Sequence, residues 1–156
     1  MRQILIYTVI ALISCGLTSC IKFNVKKDHA SFIYDSVKVN NKEIRIKEGA
    51  DNGIKTLTIT ISLKDIANTL NSLVITMASP TLIEYGTYYV GDAEHPLMCK
   101  AEILYKNGSS VNSHLGYITY DTIGEGISGG KFQFFFCDAE TNKLTYIENG
   151  NYRIYE

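Results

Sequence analysis

Between Thr56 and Leu63 the chain alternates without a break. Leu57, Ile59, Ile61 and Leu63 fall on one side, and Thr56, Thr58, Thr60 and Ser62 on the other. Side chains along a strand point to opposite faces in turn, so this pattern predicts an antiparallel strand with one face buried and one in water. Shorter β-forming runs follow at turn-separated intervals: Leu73 to Met77, Thr87 to Val90, Met98 to Lys106, Tyr117 to Tyr120, Lys131 to Cys137, Leu144 to Ile147 and Tyr152 to Tyr155. Upstream, Val37 to Val39 and Ile44 to Ile46 flank Asn40-Asn41-Lys42-Glu43, which reads as a hairpin turn. Asn107-Gly108 is a strong turn pair. Only Leu63 to Leu70 offers a helix, of about two turns.

Phe132, Phe134 and Phe136 share one face of their strand, and Gln133, Phe135 and Cys137 the other. Both faces are largely apolar, which predicts a strand at the centre of a sheet rather than a ligand-binding row of rings. Gly124-Glu125-Gly126-Ile127-Ser128-Gly129 spells G-x-G-x-x-G. A dinucleotide site needs a helix to open after those glycines, so that its N–H groups meet the pyrophosphate, whereas Lys131 to Phe136 has a strand pattern. The stretch is expected to be a hairpin connection between a strand ending at Asp121 and the strand of three phenylalanines, with glycine supplying positive φ. The runs together predict an all-β fold, an antiparallel sandwich or barrel of about eight strands with one short helix at most.

The first nineteen residues break this pattern. Arg2 gives a positive start, Ile4 to Ile13 is an apolar run too short to span a bilayer as a resident helix, and Leu17-Thr18-Ser19-Cys20 follows. The tetrapeptide resembles the lipobox of bacterial lipoprotein signal peptides: a branched apolar residue, two small residues and a cysteine. The resemblance implies cleavage before Cys20, a thioether-linked lipid on its sulfur, and acylation of the new amino terminus. Several acyl chains make a durable membrane tether, since each buried methylene adds about 0.8 kcal/mol. On this reading residues 1–19 are a leader, 20–30 the lipidated cysteine and its partly basic tether, and 31–156 a single β-rich domain. No aspartate and no acidic run follows Cys20. By resemblance to known sorting patterns, this points to the cell envelope, at the outer-membrane leaflet facing the periplasm, with surface exposure left open.

Removing the leader leaves one domain's length of chain, long enough to bury roughly two-thirds of its unfolded surface without a metal or disulfide scaffold. The formal charge is −1, and losing Arg2 with the leader makes it one unit more negative. No basic stripe recommends nucleic acid as a partner. Cys99 and Cys137 remain in an oxidising compartment, where two readings stand side by side: a disulfide between them, or two apolar thiols.

The last third carries a further resemblance. Gly116-Tyr117-Ile118-Thr119-Tyr120-Asp121, Ile127-Ser128-Gly129-Gly130-Lys131-Phe132-Gln133-Phe134 and Ile147-Glu148-Asn149-Gly150-Asn151-Tyr152 follow one another in order. They resemble the closing pattern of uncharacterised small lipoproteins of Bacteroidota: a strand ending in aspartate, an I-S-G-x-F-x-F strand, and an N-G or D-G turn into the last strand. The chain departs from that pattern in the extra Gly130, in Tyr152 where phenylalanine is usual, and in having no tryptophan. The resemblance implies location and fold, and no activity.

Catalytic and metal chemistry find little support, and no cofactor is implied. Asp92, Glu94 and His95 cluster in one loop that offers two carboxylates and an imidazole to a cation, with His114 as a distant fourth group. Yet there is no H-x-x-x-H or H-E-x-x-H pair and no cysteine pair at zinc spacing, so a solvated polar loop is the expectation. No nucleophile, base and orienter stand together, and no catalytic residue is assigned. The function expected is a non-enzymatic binding or interaction module, held to a membrane by lipid on Cys20 and facing an unidentified protein or glycan. The alternatives are a glycan or small-molecule binder with a cavity inside the barrel, and an inhibitor of an envelope hydrolase.

Overall fold

The computed structural model describes residues 27–91 and 97–156. These form nine strands and no helix: β1 (His29–Tyr34), β2 (Val37–Asp51), β3 (Ile54–Ser62), β4 (Leu70–Ser79), β5 (Gly86–Val90), β6 (Met98–Tyr105), β7 (Ser110–Gly124), β8 (Ile127–Cys137) and β9 (Leu144–Tyr155). They close into a barrel in the order β1-β2-β3-β4-β6-β5-β7-β8-β9, with β9 pairing antiparallel to β1. Eight of them run up and down. The short β5 is wedged between β6 and β7, which pair directly only at Glu102–Leu104 against Ser110–Asn112. The expected choice between sandwich and barrel thus falls to the barrel, which leaves no open sheet edge.

The alternation at Thr56 to Leu63 becomes β3 and its neighbouring loop residue, with Leu57, Ile59, Ile61 and Leu63 buried in the interior. Several strands are longer than their sequence runs. Asn40-Asn41-Lys42-Glu43 is not a turn: β2 continues through it, and the β1–β2 turn is Asp35-Ser36, both at positive φ. Val39 and Ile44 are both buried although five residues apart, which strict alternation forbids. An extra residue on β2, where Ala30 pairs with Lys42 and Phe32 with Val39, restores the phase. Likewise Asn149-Gly150 is no turn but part of an irregularity inside a continuous β9, with Asn149 at φ 51 and both Ile147 and Tyr152 buried. Gly150 has no side chain because the Phe132 ring occupies that space. Such bulges bend long strands around a barrel.

Three further expectations are corrected. Leu63 to Leu70 forms two successive turns, Ile66 N–H to Leu63 O and Leu70 N–H to Ala67 O, and not a helix. So short a helix would gain little against its nucleation cost, and Asp65, Asn68 and Thr69 favour turns. The domain expected from residue 31 starts earlier: His29 and Ala30 open β1, pairing with Glu43 and Lys42, and Ala30 is fully buried. His29, expected as an exposed tether residue, is half-buried with its ring 6.3 Å from that of Tyr155.

The glycine-rich stretch is a hairpin. Gly124 pairs with Ile127 across Glu125-Gly126, Gly126 has φ +62, and β8 runs straight on. Open space surrounds the Gly126 Cα, so Gly126→Val is expected to cost roughly 1 kcal/mol or more through backbone strain alone. Urea denaturation measures this, and added nucleotide is expected to leave the midpoint unchanged.

Candidate functional site

The interior of this barrel is a packed core. Tyr88, Tyr152, Phe132, Phe134 and Phe136 are each below 2 % exposed, and Ile59, Ile61, Leu73, Ile75, Met77 and Ile103 complete the filling. Phe134 lies between Phe132 and Phe136, with ring centroids 6.0 Å and 6.4 Å away. An eight-strand barrel is just wide enough to be filled by side chains, and these do so. The two buried tyrosine hydroxyls are satisfied: Tyr88 donates to the Glu84 carbonyl and Tyr152 to the Thr119 carbonyl, each at 2.7 Å. Burial pushes both phenols up. Among the described residues these side chains fill the middle of the barrel.

The outer wall is polar on one side and apolar on the other. On β2 and β3, Arg45 faces Thr60 and Lys47 faces Thr58, all on the outside. A membrane-spanning barrel has the opposite arrangement, apolar outside and polar within. On part of β5, β7, β8 and β9 the outside is apolar, while Gln133, Lys131, Asp121 and Arg153 keep the rest of those strands polar. Leu115 pairs with Phe135 and Phe135 with Tyr146, whose rings lie 5.0 Å apart. One step along, Cys137 pairs with Leu144. Towards β6, Tyr117 pairs with Tyr89 and Tyr89 with Met98. Leu115 is 66 % exposed, while Leu144, Tyr146, Tyr89 and Met98 are between 40 % and 49 %. A single exposed apolar residue needs no explanation, whereas here apolar side chains of five neighbouring strands adjoin one another.

A bulge sets this wall in place. Ser113 pairs with Phe136 but Leu115 with Phe135, so one extra residue at His114 shifts the phase of β7. Ser113 then faces inward, its Oγ accepting from the Ala101 N–H, while Leu115 and Tyr117 both face outward. A polar hollow of about 690 Å³ lies elsewhere on the outside, lined among others by His29, Thr119, Asp121, Lys131 and Arg153. It is open to solvent, and Gly130 lies in its lining.

The residues singled out in the sequence are not brought together as a site. Cys20 and the group Asp92, Glu94 and His95 lie outside the described residues. Among the described residues no three His, Cys, Asp or Glu side chains are grouped to hold a metal ion. His114 stands on the outside beside the end of β8, its Nε2 3.3 Å from the Cys137 carbonyl. Tyr85 leans on Tyr120 at 5.2 Å, and Glu84 serves through its backbone carbonyl.

Cys99 and Cys137 are free thiols, not a disulfide. Cys99 points inward and donates to the Tyr88 carbonyl at 3.2 Å, whereas Cys137 alternates with Phe136 and points outward. The barrel wall separates them. Burial pushes the Cys99 thiol up to about 12. In native protein a thiol reagent is therefore expected to modify Cys137 and spare Cys99, which reacts only on unfolding. Equal native reactivity at both would contradict this placement.

The same burial predicts an alkaline limit to stability. Tyr34, pushed up to about 12 chiefly by burial with help from the Asp35 charge, and Cys99 both ionise at lower pH in the unfolded chain. Their contribution is intact below the ordinary thiol and phenol range, then declines as pH rises from about 9 towards 12. The melting temperature is expected to fall steadily across that interval, and a flat profile would oppose it.

No protein-family model matches the chain, and no curated protein or solved structure matches it either. Fold and surface define a class on their own: a small closed β-barrel, antiparallel except where β5 pairs with β6, with a packed core and one apolar patch on its outer wall.

Proposed function

We propose that the protein is a lipid-anchored, non-enzymatic binding module of the bacterial cell envelope, recognising a protein partner with the outer wall of β5, β7, β8 and β9. The carrying observation is the outward apolar set of exposed Leu115, Tyr146, Leu144 and Tyr89 with half-buried Phe135 and Tyr117 between them, on a barrel with a packed core. Burying such a surface yields about 25 cal/mol for each Å² removed from water, and rigid strands lose little entropy in presenting it. The membrane attachment rests on the ordered leader and the L-T-S-C sequence ending at Cys20. A second reading, a glycan partner, draws on the neighbouring rings of Tyr89 with Tyr117 and Phe135 with Tyr146, since aromatic faces also stack on sugars.

The test is capture from the native envelope by the full-length protein and by a Leu115→Lys, Tyr146→Lys variant. Both sites are exposed, so folding is expected to stay within about 0.5 kcal/mol. Loss of a specific captured partner with the melting temperature preserved supports the wall. Undiminished capture overturns it. Mass spectrometry of the membrane-extracted protein is expected to show an acylated Cys20 at the amino terminus, and an intact Met1 would refute the anchor.

A further inference from the structure

The two ends of the barrel differ in chemistry. At one end lie the β1–β2 turn Asp35-Ser36, the β3–β4 connection with Lys64, Asp65, Asn68 and Thr69, the β6–β7 turn Lys106-Asn107-Gly108-Ser109, and the β8–β9 connection 138–143. The turns themselves are polar almost throughout, with Val37 and Leu144, at the first positions of β2 and β9, as exposed aliphatics. At the other end are the β2–β3 turn Asn52-Gly53, the β4–β5 connection 80–85 and the β7–β8 turn Glu125-Gly126. Here Leu82 is 55 % exposed, Tyr85 57 %, Ile123 48 % and Ile54 41 %.

These four residues stand on one rim. Leu82 and Ile83 line a hollow with Lys55 and Thr56 of β3 and with Tyr120 of β7. Tyr120 in turn supports the Tyr85 ring. Ile123 follows three residues later on β7 and leans over Gly129. The chain enters the barrel at this same end, at His29 in β1, where the Asp28 carboxylate accepts from the Tyr155 N–H at 2.8 Å. Cys20 lies nine residues before His29. Nine residues reach about 30 Å at full extension, so a lipid on Cys20 would hold this end within that distance of the bilayer.

We infer that the barrel docks end-on against the membrane through this rim, with Leu82, Tyr85, Ile54 and Ile123 in the lipid interface. The inference rests on the lipid anchor proposed above. Aliphatic side chains and a tyrosine with its hydroxyl at headgroup level suit the boundary between water and acyl chains. End-on docking leaves the apolar wall of β5, β7, β8 and β9 facing sideways, clear of lipid. Leu115 is eight residues from Ile123 along β7, about 20 Å above the rim once strand tilt is included.

The absence of tryptophan makes the test clean, because each introduced indole is the only one. Full-length lipidated protein carrying Leu82→Trp or Tyr85→Trp is bound to vesicles containing bromine-labelled acyl chains, beside Leu115→Trp on the wall and Glu140→Trp at the far end. All four positions are exposed, so the fold tolerates the change, and unchanged melting temperatures verify this. Docking predicts blue-shifted and quenched emission at positions 82 and 85, with unquenched emission at 115 and 140. Mass spectra of the same vesicle-bound samples report acylation at Cys20. Acylated protein with all four indoles unquenched, or all quenched alike, overturns end-on docking and leaves the anchor standing. Protein without acylation refutes the anchor, and the docking that rests on it falls as well.

Discussion

Replacing Gly130 with alanine is expected to remove roughly 2–5 kcal/mol of stability, a large share of what a domain this size possesses. A Cβ at Gly130 would fall on the Thr119 carbonyl of β7, well inside van der Waals contact. That carbonyl is the acceptor for the buried Tyr152 hydroxyl, so moving it both strains the β7–β8 pairing and leaves a buried donor unsatisfied. Gly130 and Tyr152 are themselves cross-strand partners. The two meet at one backbone oxygen. Denaturation of the single and double variants checks the coupling. Gly130→Ala is expected to cost less in a Tyr152→Phe background, since no hydroxyl then needs the displaced carbonyl. Purely additive losses would show that the two residues act separately.

Phe134→Ala is expected to cost roughly 3–5 kcal/mol, as truncating a buried phenylalanine leaves a hole that rigid barrel walls cannot close. Phe134 is 1 % exposed and sits between two other rings in the middle of the core. The same variant bears on function. If the interior is full, the wild-type protein gains no stability from a small apolar ligand such as benzene, whereas the variant, with a new dry cavity, does gain it. Stabilisation of the wild-type protein by the same ligand would reveal a lumen able to accept guests and would favour a carrier.

The fold was largely legible because the interior is apolar and the exterior mostly is not. Unbroken alternation marked β3, and the β-forming runs of Leu73, Met98, Lys131 and Leu144 located β4, β6, β8 and β9. What misled was phase. Asn40-Asn41 and Asn149-Gly150 have turn composition, yet both lie inside long strands at irregularities. The odd spacing of Val39 to Ile44 and of Ile147 to Tyr152 carried the information, because two inward residues five apart require an extra residue between them. Asn52-Gly53, the β2–β3 turn, has the same Asn-Gly composition as Asn107-Gly108 and as Asn149-Gly150, and only the first two are turns.

The surface was less legible. Phe135 and Cys137 were visible on the second face of β8, but the apolar pattern alone read equally as a strand buried on both sides. Leu115 fell outside the run at Tyr117 to Tyr120, since the bulge at His114 hides its membership of β7. The wall also joins residues from strands far apart in sequence, so it exists only once β5, β7, β8 and β9 are placed side by side. The polarity difference between the barrel ends was hidden for the same reason.

The most direct test places a photoreactive side chain at Leu115 or Tyr146 in the full-length protein within its native envelope, with Lys47 on the opposite wall as the control position. Recognition by the apolar wall predicts a discrete cross-linked partner from positions 115 and 146 and none from position 47. Equal adducts from all three positions, or a discrete adduct from position 47 alone, would contradict it.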